Sequence, residues 1–493
     1  MHVLISELMA SSGVKFGTSG ARGLASQMTD RVCYVYTRAF LQHLESRGEI
    51  KRGDRVAVAG DFRPSSPRIL AACAKSIADS GYMPDFCGFI PTPAVAFYAI
   101  SNHMASLMVT GSHIPDDRNG IKFNKPTGEI LKEDEQGIAQ QRVAIDDGMF
   151  GADGMLTDLY PLDAINTSAE SLYLDRYVQF FGADVLKGKR VAVYQHSSVA
   201  RDILPLVFSA LGAEVIVLGR SDSFIPVDTE AIRPEDVRLA KQWAKEYKFD
   251  CIVSADGDGD RPLIGDERGN WLRGDVAGIL CARYLEAYAV ATPVSSNSAV
   301  EKSGWFKKVA RTRIGSPFVI AAMEQALSEH GNVVGYEANG GFLIASDITI
   351  DDRLLRALPT RDAAIVPLAI MMLADREGRS ISGLLSLLPG RFTYSERIKD
   401  FPTELSASRL SQFSSGRLHH DKAKVEREFP ELGPVMSIDT TDGIRITFDS
   451  AEVIHLRPSG NAPELRCYTE ADTEKRAFDL NAYCIAIMQG WRA

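Results

Sequence analysis

An acidic, glycine-rich segment at residues 256–260 has the composition of a metal site. It reads Asp256-Gly257-Asp258-Gly259-Asp260. Three carboxylates at alternate positions can converge on one hard cation only where the backbone turns tightly, which glycine permits. Ligands that offer only oxygen favour Mg²⁺, Ca²⁺ or Mn²⁺ over zinc, and Mg²⁺ usually keeps open positions for phosphate oxygens. The segment therefore predicts a magnesium site that handles phosphoryl groups.

A solvated acidic loop and an EF-hand are the alternatives to a magnesium site in this segment. Residues 251–255 directly before it form a short apolar run that is typical of a buried strand, which argues against a solvated loop. Glu267 stands where the twelfth ligand of an EF-hand would be, but the sixth position is Arg261 instead of the required glycine. The preceding segment is also strand-like and not helical. We therefore reject the EF-hand.

A second candidate loop contains Ser112 and His113 and follows the strand-like residues 107–109. A serine flanked by Gly and Pro after a strand is held on a turn at the carboxyl edge of a sheet, where α/β proteins bind ligands. The Gly-x-Ser-x-Gly pattern of a nucleophile elbow is absent. Lys122, further along, could serve as a base or as a phosphate-binding cation if it faces the same cleft. A plain turn with a local hydrogen bond remains the alternative.

Residues 457–463, Arg-Pro-Ser-Gly-Asn-Ala-Pro, join two strand-like runs near the end of the chain. They combine a guanidinium, a hydroxyl, a backbone concavity that glycine permits and a side-chain amide, which are the parts of a phosphate-binding loop. Arg466 adds a second positive group after the turn. A simple strand-connecting turn is the alternative.

Two more glycine-rich loops complete the set. In residues 335–341, Glu337 lies near Asn339, and a carboxylate with an amide suits hydrogen bonding to vicinal sugar hydroxyls, although such a loop alone is weak evidence. Residues 15–23 resemble a Gly/Ser loop that contacts phosphate, with Arg22 as its fixed cation. The loop is not a Walker A motif, because no Gly-Lys-Ser/Thr follows at the required spacing.

Composition limits the class of protein. A chain of 493 residues should divide into roughly three or four domains. The net charge of −9 argues against a nucleic-acid partner. The seven cysteines are scattered without a Cys-x-x-Cys pair, the start lacks a basic n-region, and no apolar run is long enough to span a bilayer. We expect a soluble cytoplasmic protein with no membrane partner.

Strand-like and helix-like segments alternate along most of the chain, which predicts α/β domains on parallel or mixed sheets. We expect such domains at residues 1–164, 165–275 and 276–390. Their similar rhythm suggests repeated domains, although no repeat can be aligned. From residue 391 to 493, alternating strands and a closing helix predict a smaller α+β domain on an antiparallel sheet.

Together, these segments resemble the α-D-phosphohexomutase superfamily, and within it the phosphoglucomutase/phosphomannomutase branch. The resemblance extends from residues 16–20, Phe-Gly-Thr-Ser-Gly, to residues 457–460, Arg-Pro-Ser-Gly, and includes Asp-Phe-Arg at 61–63 and Pro-Thr-Pro at 91–93. It implies three related α/β domains with mixed sheets and a smaller α+β domain around a central cleft. It also implies reversible interconversion of hexose 1-phosphate and hexose 6-phosphate through a phosphoserine and a 1,6-bisphosphate.

The resemblance further implies roles for single residues. Ser112 would carry the phosphoryl group and, with the three aspartates, hold one Mg²⁺ per chain, and Arg261 would lie beside the metal. Glucose 1,6-bisphosphate would be the activator. The remaining expected site residues are Arg22, His113 and Lys122 for catalysis, and Glu337, Asn339, Arg457, Ser459, Gly460, Asn461 and Arg466 for substrate binding.

The chain departs from the family pattern around the serine, where Gly111 and Ile114 replace the usual Ala and Asn. The sugar loop at 337–340 reads Glu-Ala-Asn-Gly in place of Glu-x-Ser-Gly, and Gly315-Ser316-Pro317 lacks the histidine or lysine that this third-domain loop often carries. We expect glucose to be favoured, with mannose possible, and a monomer or homodimer. The alternatives are a metal-dependent phosphosugar phosphatase and a non-catalytic phosphosugar-binding relative.

Overall fold

The computed structural model describes residues 1–17, 20–328, 331–459 and 463–492. Their elements form three α/β units, each with a sheet of mixed direction, and a last unit with an antiparallel sheet. This arrangement confirms the predicted fold class. The domain limits stay predictions, and the helix Gly274–Tyr284 begins just before the predicted boundary between residues 275 and 276.

The first unit surrounds its main sheet with helices. In this sheet β4 runs parallel to β5 and β6, and β7 pairs antiparallel with β6 and β3. The helices are α1 Ile5–Ser12, α2 Asp30–Ser46, α3 Ser66–Asp79, α4 Thr92–Ser101 and α5 Lys132–Ala139, and the strands are β1 His2–Leu4, β2 Lys15–Phe16, β3 Gly20–Leu24, β4 Arg55–Gly60, β5 Met83–Gly88, β6 Ala105–Val109, β7 Arg118–Lys125, β8 Gly128–Glu129 and β9 Arg142–Ala144.

The second unit follows the same pattern on a smaller scale. Strand β10 runs parallel to β11 and β12, and β13 pairs antiparallel with β12. Its elements are α6 Ser168–Phe181, β10 Arg190–His196, α7 Ala200–Ala210, β11 Glu214–Arg220, α8 Pro234–Tyr247, β12 Cys251–Ala255 and β13 Pro262–Gly265.

The third unit repeats the pattern again, with β14 parallel to β15 and β16, and β17 antiparallel to β16. Its elements are α9 Gly274–Tyr284, β14 Ala289–Pro293, α10 Ala299–Lys302, β15 Lys308–Thr312, α11 Ser316–Ala326, β16 Val333–Tyr336, β17 Phe342–Ile344, β18 Ile348–Ile350, β19 Arg353–Leu355, α12 Ile365–Arg376 and α13 Ile381–Leu384.

The three sheets thus share one topology, and the same connection in each holds a predicted functional loop. Ser112 lies between β6 and β7, residues 256–260 lie between β12 and β13, and Glu337 lies between β16 and β17. Each loop leaves the carboxyl end of a parallel strand, which is where open α/β sheets bind ligands. The repeat that cannot be aligned in sequence is therefore present in the order and direction of the strands.

The fourth unit is an antiparallel sheet in the order β20-β24-β23-β22-β21, packed against helices. The predicted phosphate loop joins β23 to β24, and of that loop Gly460 and Asn461 lie outside the described residues. The elements are β20 Phe392–Ile398, α14 Thr403–Ser411, α15 Leu418–Glu428, β21 Val435–Asp439, β22 Ile444–Phe448, β23 Val453–Pro458, β24 Leu465–Ala471 and α16 Glu474–Gly490.

Apolar packing joins the first three units, whereas the fourth has a core of its own. One cluster of buried side chains includes Tyr98 of the first unit, Val193 of the second and Leu280 of the third. A separate cluster, from Ile398 to Trp491, lies within the fourth unit. Burial of apolar surface is the main stabilising term in folding, so the fourth unit has its own source of stability.

Polar contacts connect the fourth unit to the third. The Ser298 backbone N–H donates to Glu470 Oε2 at 3.0 Å, and the Ser298 hydroxyl donates to Glu470 Oε1. At a second point of contact, the Ile314 N–H donates to Asp442 Oδ2 at 2.9 Å. Charge-assisted hydrogen bonds of this kind give orientation as well as attraction.

All seven cysteines are buried free thiols. Within the described residues, the helices are too short or too polar to cross a bilayer. The expected cytoplasmic location stays a prediction.

The buried carboxylate of Asp362 joins the third unit to helix α6 of the second. Tyr173 Oη donates to Asp362 Oδ1 at 2.6 Å, and the Tyr177 hydroxyl donates to Asp362 Oδ2. We expect Asp362→Ala to lower the free energy of local unfolding of α6 by about 2 kcal/mol, because both buried hydroxyls lose their acceptor. Hydrogen exchange of the α6 amides should then become about thirtyfold faster, as measured by mass spectrometry. Asp375→Ala, which removes an exposed ion pair with Lys189, is the control and should leave this exchange unchanged.

Candidate functional site

Ser112 lies at the carboxyl end of β6 in a left-handed backbone conformation, with φ of 57°. That conformation costs a residue with a side chain about 1–2 kcal/mol, so surrounding contacts must hold it. The Ser112 N–H donates to Thr110 Oγ1 at 2.7 Å, and Arg63 Nη2 donates to the Ser112 carbonyl at 2.9 Å. Asp61 in turn accepts from Thr110 Oγ1 at 2.8 Å and from the Arg63 guanidinium.

Gly111 has a physical reason in this arrangement. A Cβ at this position would lie 2.7 Å from Arg63 Cζ, closer than real contacts allow. The buried Arg63 also donates to the Ile114 carbonyl, so it occupies the space beneath the whole turn. In this chain, glycine at position 111 therefore leaves room for the arginine that supports Ser112.

The aspartate loop docks directly on the serine loop. Ser112 Oγ donates to Asp256 Oδ2 at 2.7 Å. A Cβ at Gly257 would lie 2.6 Å from the Ser112 carbonyl oxygen, so only glycine allows this approach of the two loops. Gly259 has a φ of 69°, which gives the tight turn that the sequence predicted.

Oxygen atoms of Asp256, Asp258 and Asp260 lie within 4.8 Å of one another, and all three residues are buried. Asp258 Oδ1 and Asp260 Oδ1 have no hydrogen-bond partner within residues 1–17, 20–328, 331–459 and 463–492. Buried acceptors without partners are costly, and hard oxygen donors in this number suit Mg²⁺. The residues present therefore fit the predicted metal.

Burial sets the electrostatics of the aspartates. Burial, with repulsion from Asp258 and Asp260, raises the pKa of Asp256 well above its usual range. Burial opposes the charge of Asp258 as well, but Lys122 and a hydrogen bond from Thr92 hold its pKa below the usual value. A divalent cation would relieve the repulsion that raises the pKa of Asp256.

Lys122 projects from β7 onto the aspartates. Its Nζ donates to Asp258 Oδ2 at 2.6 Å and also to Asp260 Oδ2. Burial opposes the charge of Lys122, but Asp258 and Asp260 raise its pKa, so the amine stays protonated. A protonated amine can neutralise negative charge but cannot accept a proton.

His113 is neutral and held by Arg261. Burial, together with the charges of Arg261 and Arg22, lowers the pKa of His113 well below its usual value. Arg261 Nη1 donates to His113 Nδ1 at 2.8 Å, which leaves the proton of the neutral ring on Nε2. Burial and the neighbouring Arg261 also lower the pKa of Arg22 to about 10, so Arg22 stays charged at neutral pH.

The sugar loop of the third unit lies against the same cluster. Glu337 is buried, and its Oε2 accepts from Arg361 Nη1 at 3.3 Å. Asn339 Oδ1 accepts from the Gly341 N–H at 2.9 Å, which closes the loop on itself. The assignment of Glu337 and Asn339 to substrate binding stays a prediction.

The described residues of the phosphate loop present two arginines. Arg457 Nε donates to Asp442 Oδ1 at 2.9 Å, and Arg466 Nη2 donates to Glu464 Oε2 at 3.4 Å. Burial raises the pKa of Glu230 in the second unit, and the charge of Arg466 acts in the opposite direction. Arg466 of the fourth unit therefore lies near enough to Glu230 for its charge to act on that carboxyl. Ser459 is buried at the start of the loop.

Arg361 is among the buried residues of the cluster that the sequence-based predictions did not assign to the site, as are Thr92 and Arg63. Arg361 is 2% exposed, and its Nε lies 3.2 Å from Asp260 Oδ2. It occurs in residues 358–362, Leu-Pro-Thr-Arg-Asp, far in sequence from the loops that it contacts. Arg353 and Arg356 precede it in the same stretch, so the sequence does not single out Arg361 from its neighbours.

We expect Asp258→Asn to weaken Mn²⁺ binding at least about a hundredfold. Even the loss of a residue that only hydrogen-bonds to a metal ligand lowers metal affinity about ten- to hundredfold. Electron paramagnetic resonance of free Mn²⁺ measures this directly. Asp202→Asn, which alters an exposed ion pair with Arg220, is the matched control and should bind Mn²⁺ as the wild type does. Equal affinity of both variants would contradict a metal site at the aspartates.

Solved structures share this architecture. A phosphoglucomutase/phosphomannomutase family protein from Burkholderia thailandensis superposes with a TM-score of 0.72 at 20% identity, covering 96% of this chain and 97% of that one. A protein from Thermus thermophilus described as a putative phosphomannomutase gives 0.71 at 18% identity, covering 97% and 99%. At these identities the likeness concerns the fold.

Comparisons of sequence are more specific. Family models for phosphoglucomutase/phosphomannomutase match at residues 13–148 for α/β/α domain I, 171–269 for domain II, 273–392 for domain III and 419–484 for the C-terminal domain. A phosphomannomutase of Salmonella muenchen is 46% identical over 484 residues, covering 96% of this chain and 95% of the relative. One of Sinorhizobium fredii is 44% identical over 480 residues, covering 97% and 99%. With relatives of this identity over nearly its whole length, the chain belongs to the phosphoglucomutase/phosphomannomutase family.

Proposed function

We propose that this protein interconverts hexose 1-phosphates and hexose 6-phosphates through a phosphoserine at Ser112 and a 1,6-bisphosphate intermediate. The observation that carries the proposal is the 2.7 Å contact between Ser112 Oγ and Asp256 Oδ2, beside the unpartnered oxygens of Asp258 and Asp260 in the described part of the chain. Membership of the family supports phosphohexose mutase chemistry. The contact supports Ser112 as the group that exchanges the phosphoryl.

In the first transfer, the bond between phosphorus and Ser112 Oγ breaks while a bond to the free hydroxyl of the bound sugar phosphate forms. The sugar hydroxyl loses its proton and Ser112 Oγ gains one, so the step consumes no net proton. The 1,6-bisphosphate then reorients in the cleft. Its other phosphoryl group is transferred to Ser112 by the reverse of the first reaction. A bound Mg²⁺ would supply charge neutralisation at the transferring phosphoryl group.

The chain's own cations support the same step. Arg22 and Lys122 keep their positive charges in the buried cleft, where they can stabilise the equatorial oxygens of the phosphoryl group during transfer. His113 presents Nε2–H and can donate to a phosphate oxygen, because its Nδ1 is occupied by Arg261. Preorganised donors in a water-poor site act without reorganising at the moment of reaction.

The fourth unit would bind the phosphate that does not react. Arg457 and Arg466 offer guanidinium groups near the cleft, and Arg suits phosphate because its donors form a fork. Because either end of the bisphosphate must fit, generic cationic contacts serve this loop better than a pocket shaped for one isomer. Asp442 keeps Arg457 oriented through Nε, and no side-chain hydrogen bond within the described residues engages its Nη groups, which suits them to phosphate.

Mannose phosphates are the substrates we place first. The relatives from Salmonella muenchen and Sinorhizobium fredii are named phosphomannomutases, and this favours mannose over the glucose that was expected from the sequence alone. The two sugars differ in the configuration of one hydroxyl, so Glu337 in the sugar loop is the carboxylate suited to distinguish them. Turnover of mannose 1-phosphate and glucose 1-phosphate under the same conditions, with Mg²⁺ and a trace of the 1,6-bisphosphate, compares them directly.

Ser112→Ala should abolish the phosphate adduct and lower turnover of mannose 1-phosphate by at least about a thousandfold, because the phosphoryl carrier is gone. Intact mass and peptide mapping detect the phosphate on Ser112, and a coupled assay measures the formation of mannose 6-phosphate. Ser411→Ala, whose hydroxyl makes an exposed local hydrogen bond to Ser408, is the matched control and should behave as wild type.

The same assays separate the alternatives. Free phosphate released in step with substrate loss would favour a phosphatase. Binding without any adduct or turnover, even after priming with bisphosphate, would favour a non-catalytic phosphosugar-binding protein. Either result would contradict the mutase.

Asp442→Asn should raise KM for mannose 1-phosphate about tenfold with a smaller change in kcat. The charged acceptor that orients Arg457 is lost, and a charge-assisted hydrogen bond is worth roughly 1.5–3 kcal/mol. Asp439→Asn alters a neighbouring carboxylate that accepts from the Thr441 N–H at 2.8 Å, and it should leave KM unchanged. An unchanged KM in Asp442→Asn would contradict a phosphate-binding role for Arg457.

A further inference from the structure

Arg361 lies between two loops that belong to different units. Its Nε is 3.2 Å from Asp260 Oδ2 in the aspartate loop of the second unit. Its Nη1 donates to Glu337 Oε2 at 3.3 Å in the sugar loop of the third. One planar guanidinium therefore contacts a predicted metal ligand and a predicted sugar ligand at once.

The charge of Arg361 also acts on the aspartates. Its side chain and both carboxylates are nearly inaccessible to solvent, with exposures of 3%, 1% and 4% for the side chains of Arg361, Asp260 and Glu337. Screening is weak in such surroundings, so a positive charge beside Asp260 repels any cation that approaches the same oxygens. Lys122 donates to Asp260 Oδ2 as well, so two cations of the chain lie at this carboxylate.

We propose that Arg361 is a positioning residue that fixes the metal loop and the sugar loop to each other and lowers the affinity of the aspartates for a divalent cation. The part concerning the sugar rests on the proposed function, whereas the part concerning the cation requires only the aspartate cluster. A guanidinium is suited to this double role, because its donors point in fixed directions.

The two effects of Arg361 separate by substitution. Arg361→Gln removes both the positive charge and the planar set of guanidinium donors. Arg361→Lys keeps the charge on a single ammonium, which cannot hold both carboxylates in the same way. Removal of a residue that only stabilises the fold would loosen both loops and weaken metal and sugar binding together. Removal of a competing cation has the opposite effect on the metal.

The first measurement is Mn²⁺ affinity, read by electron paramagnetic resonance without sugar, on proteins at one Ser112 phosphorylation state as established by intact mass. We expect Arg361→Gln to bind Mn²⁺ about tenfold more tightly than wild type, because a unit charge near the ion is removed from a poorly screened site. Arg361→Lys should bind Mn²⁺ with an affinity close to that of wild type.

The second measurement is KM for mannose 1-phosphate. Both variants should raise KM about tenfold, because Glu337 loses its fixed position relative to Asp260. Tighter Mn²⁺ binding together with a higher KM in Arg361→Gln is the combination that a merely structural arginine would not give.

Arg176→Gln is the control. Arg176 is a buried arginine that lies 3.9 Å from Asp362 and over the Phe97 ring. Neither contact involves the aspartates of residues 256–260. Its loss should lower thermal stability and leave Mn²⁺ affinity unchanged.

Weaker or unchanged Mn²⁺ binding by Arg361→Gln would overturn the proposal. If Arg361→Gln does not fold, Arg361→Lys tests the positioning role. A KM of Arg361→Lys equal to that of wild type would overturn that role. Absence of turnover in the wild type would refute the proposed function instead, and the Mn²⁺ result would still decide the effect of Arg361 on the cation.

Discussion

Three carboxylates are buried next to one serine hydroxyl. Burying this negative charge is energetically costly, and the surrounding cations and hydrogen-bond donors offset that cost. Isolated charges in a protein interior are unstable unless they are paired and hydrogen-bonded. Lys122 and Arg361 supply positive charge, and Thr92 donates to Asp258 Oδ2 at 2.6 Å. Lys122 comes from the first unit and Arg361 from the third, while the carboxylates and a further cation, Arg261, belong to the second. Neutralising the carboxylates therefore requires all three units to meet at one point.

The shared topology explains how three units deliver their groups to that point. Each functional loop connects the last parallel strand of a sheet to the antiparallel strand that follows it. The same scaffold position holds a hydroxyl in one unit, carboxylates in the next and the predicted sugar-binding acid in the third. Close contact between the loops then depends on small residues, since any side chain at Gly257 would collide with the backbone of Ser112.

Local chemistry made much of the site predictable from sequence. Residues 256–260 combine alternating carboxylates, turn-forming glycines and a preceding apolar strand, and all of these signals lie within a few neighbouring positions. Arg361 gave no comparable signal, because its contact with Asp260 exists only after the second and third units have packed, and its contact with Glu337 only after the third unit has folded. Gly111 departs from the family pattern, and the buried guanidinium of Arg63 that fills the space beside it is equally remote in sequence. The loop residues Gly460 and Asn461 lie outside the described part of the chain, so their roles stay predictions.

The separate core of the fourth unit has a consequence for the proposed intermediate. A bisphosphate that turns end over end in the proposed reaction needs room, which a movement of this unit would supply. Its hydrogen bonds to the third unit at Glu470 and Asp442 are of a kind that water can replace, and its apolar core is separate from that of the other three units. Opening is then a matter of rehydration and not of unfolding. In the proposed reaction, the arginines of this unit can then release one phosphate while the apolar clusters of the units stay packed.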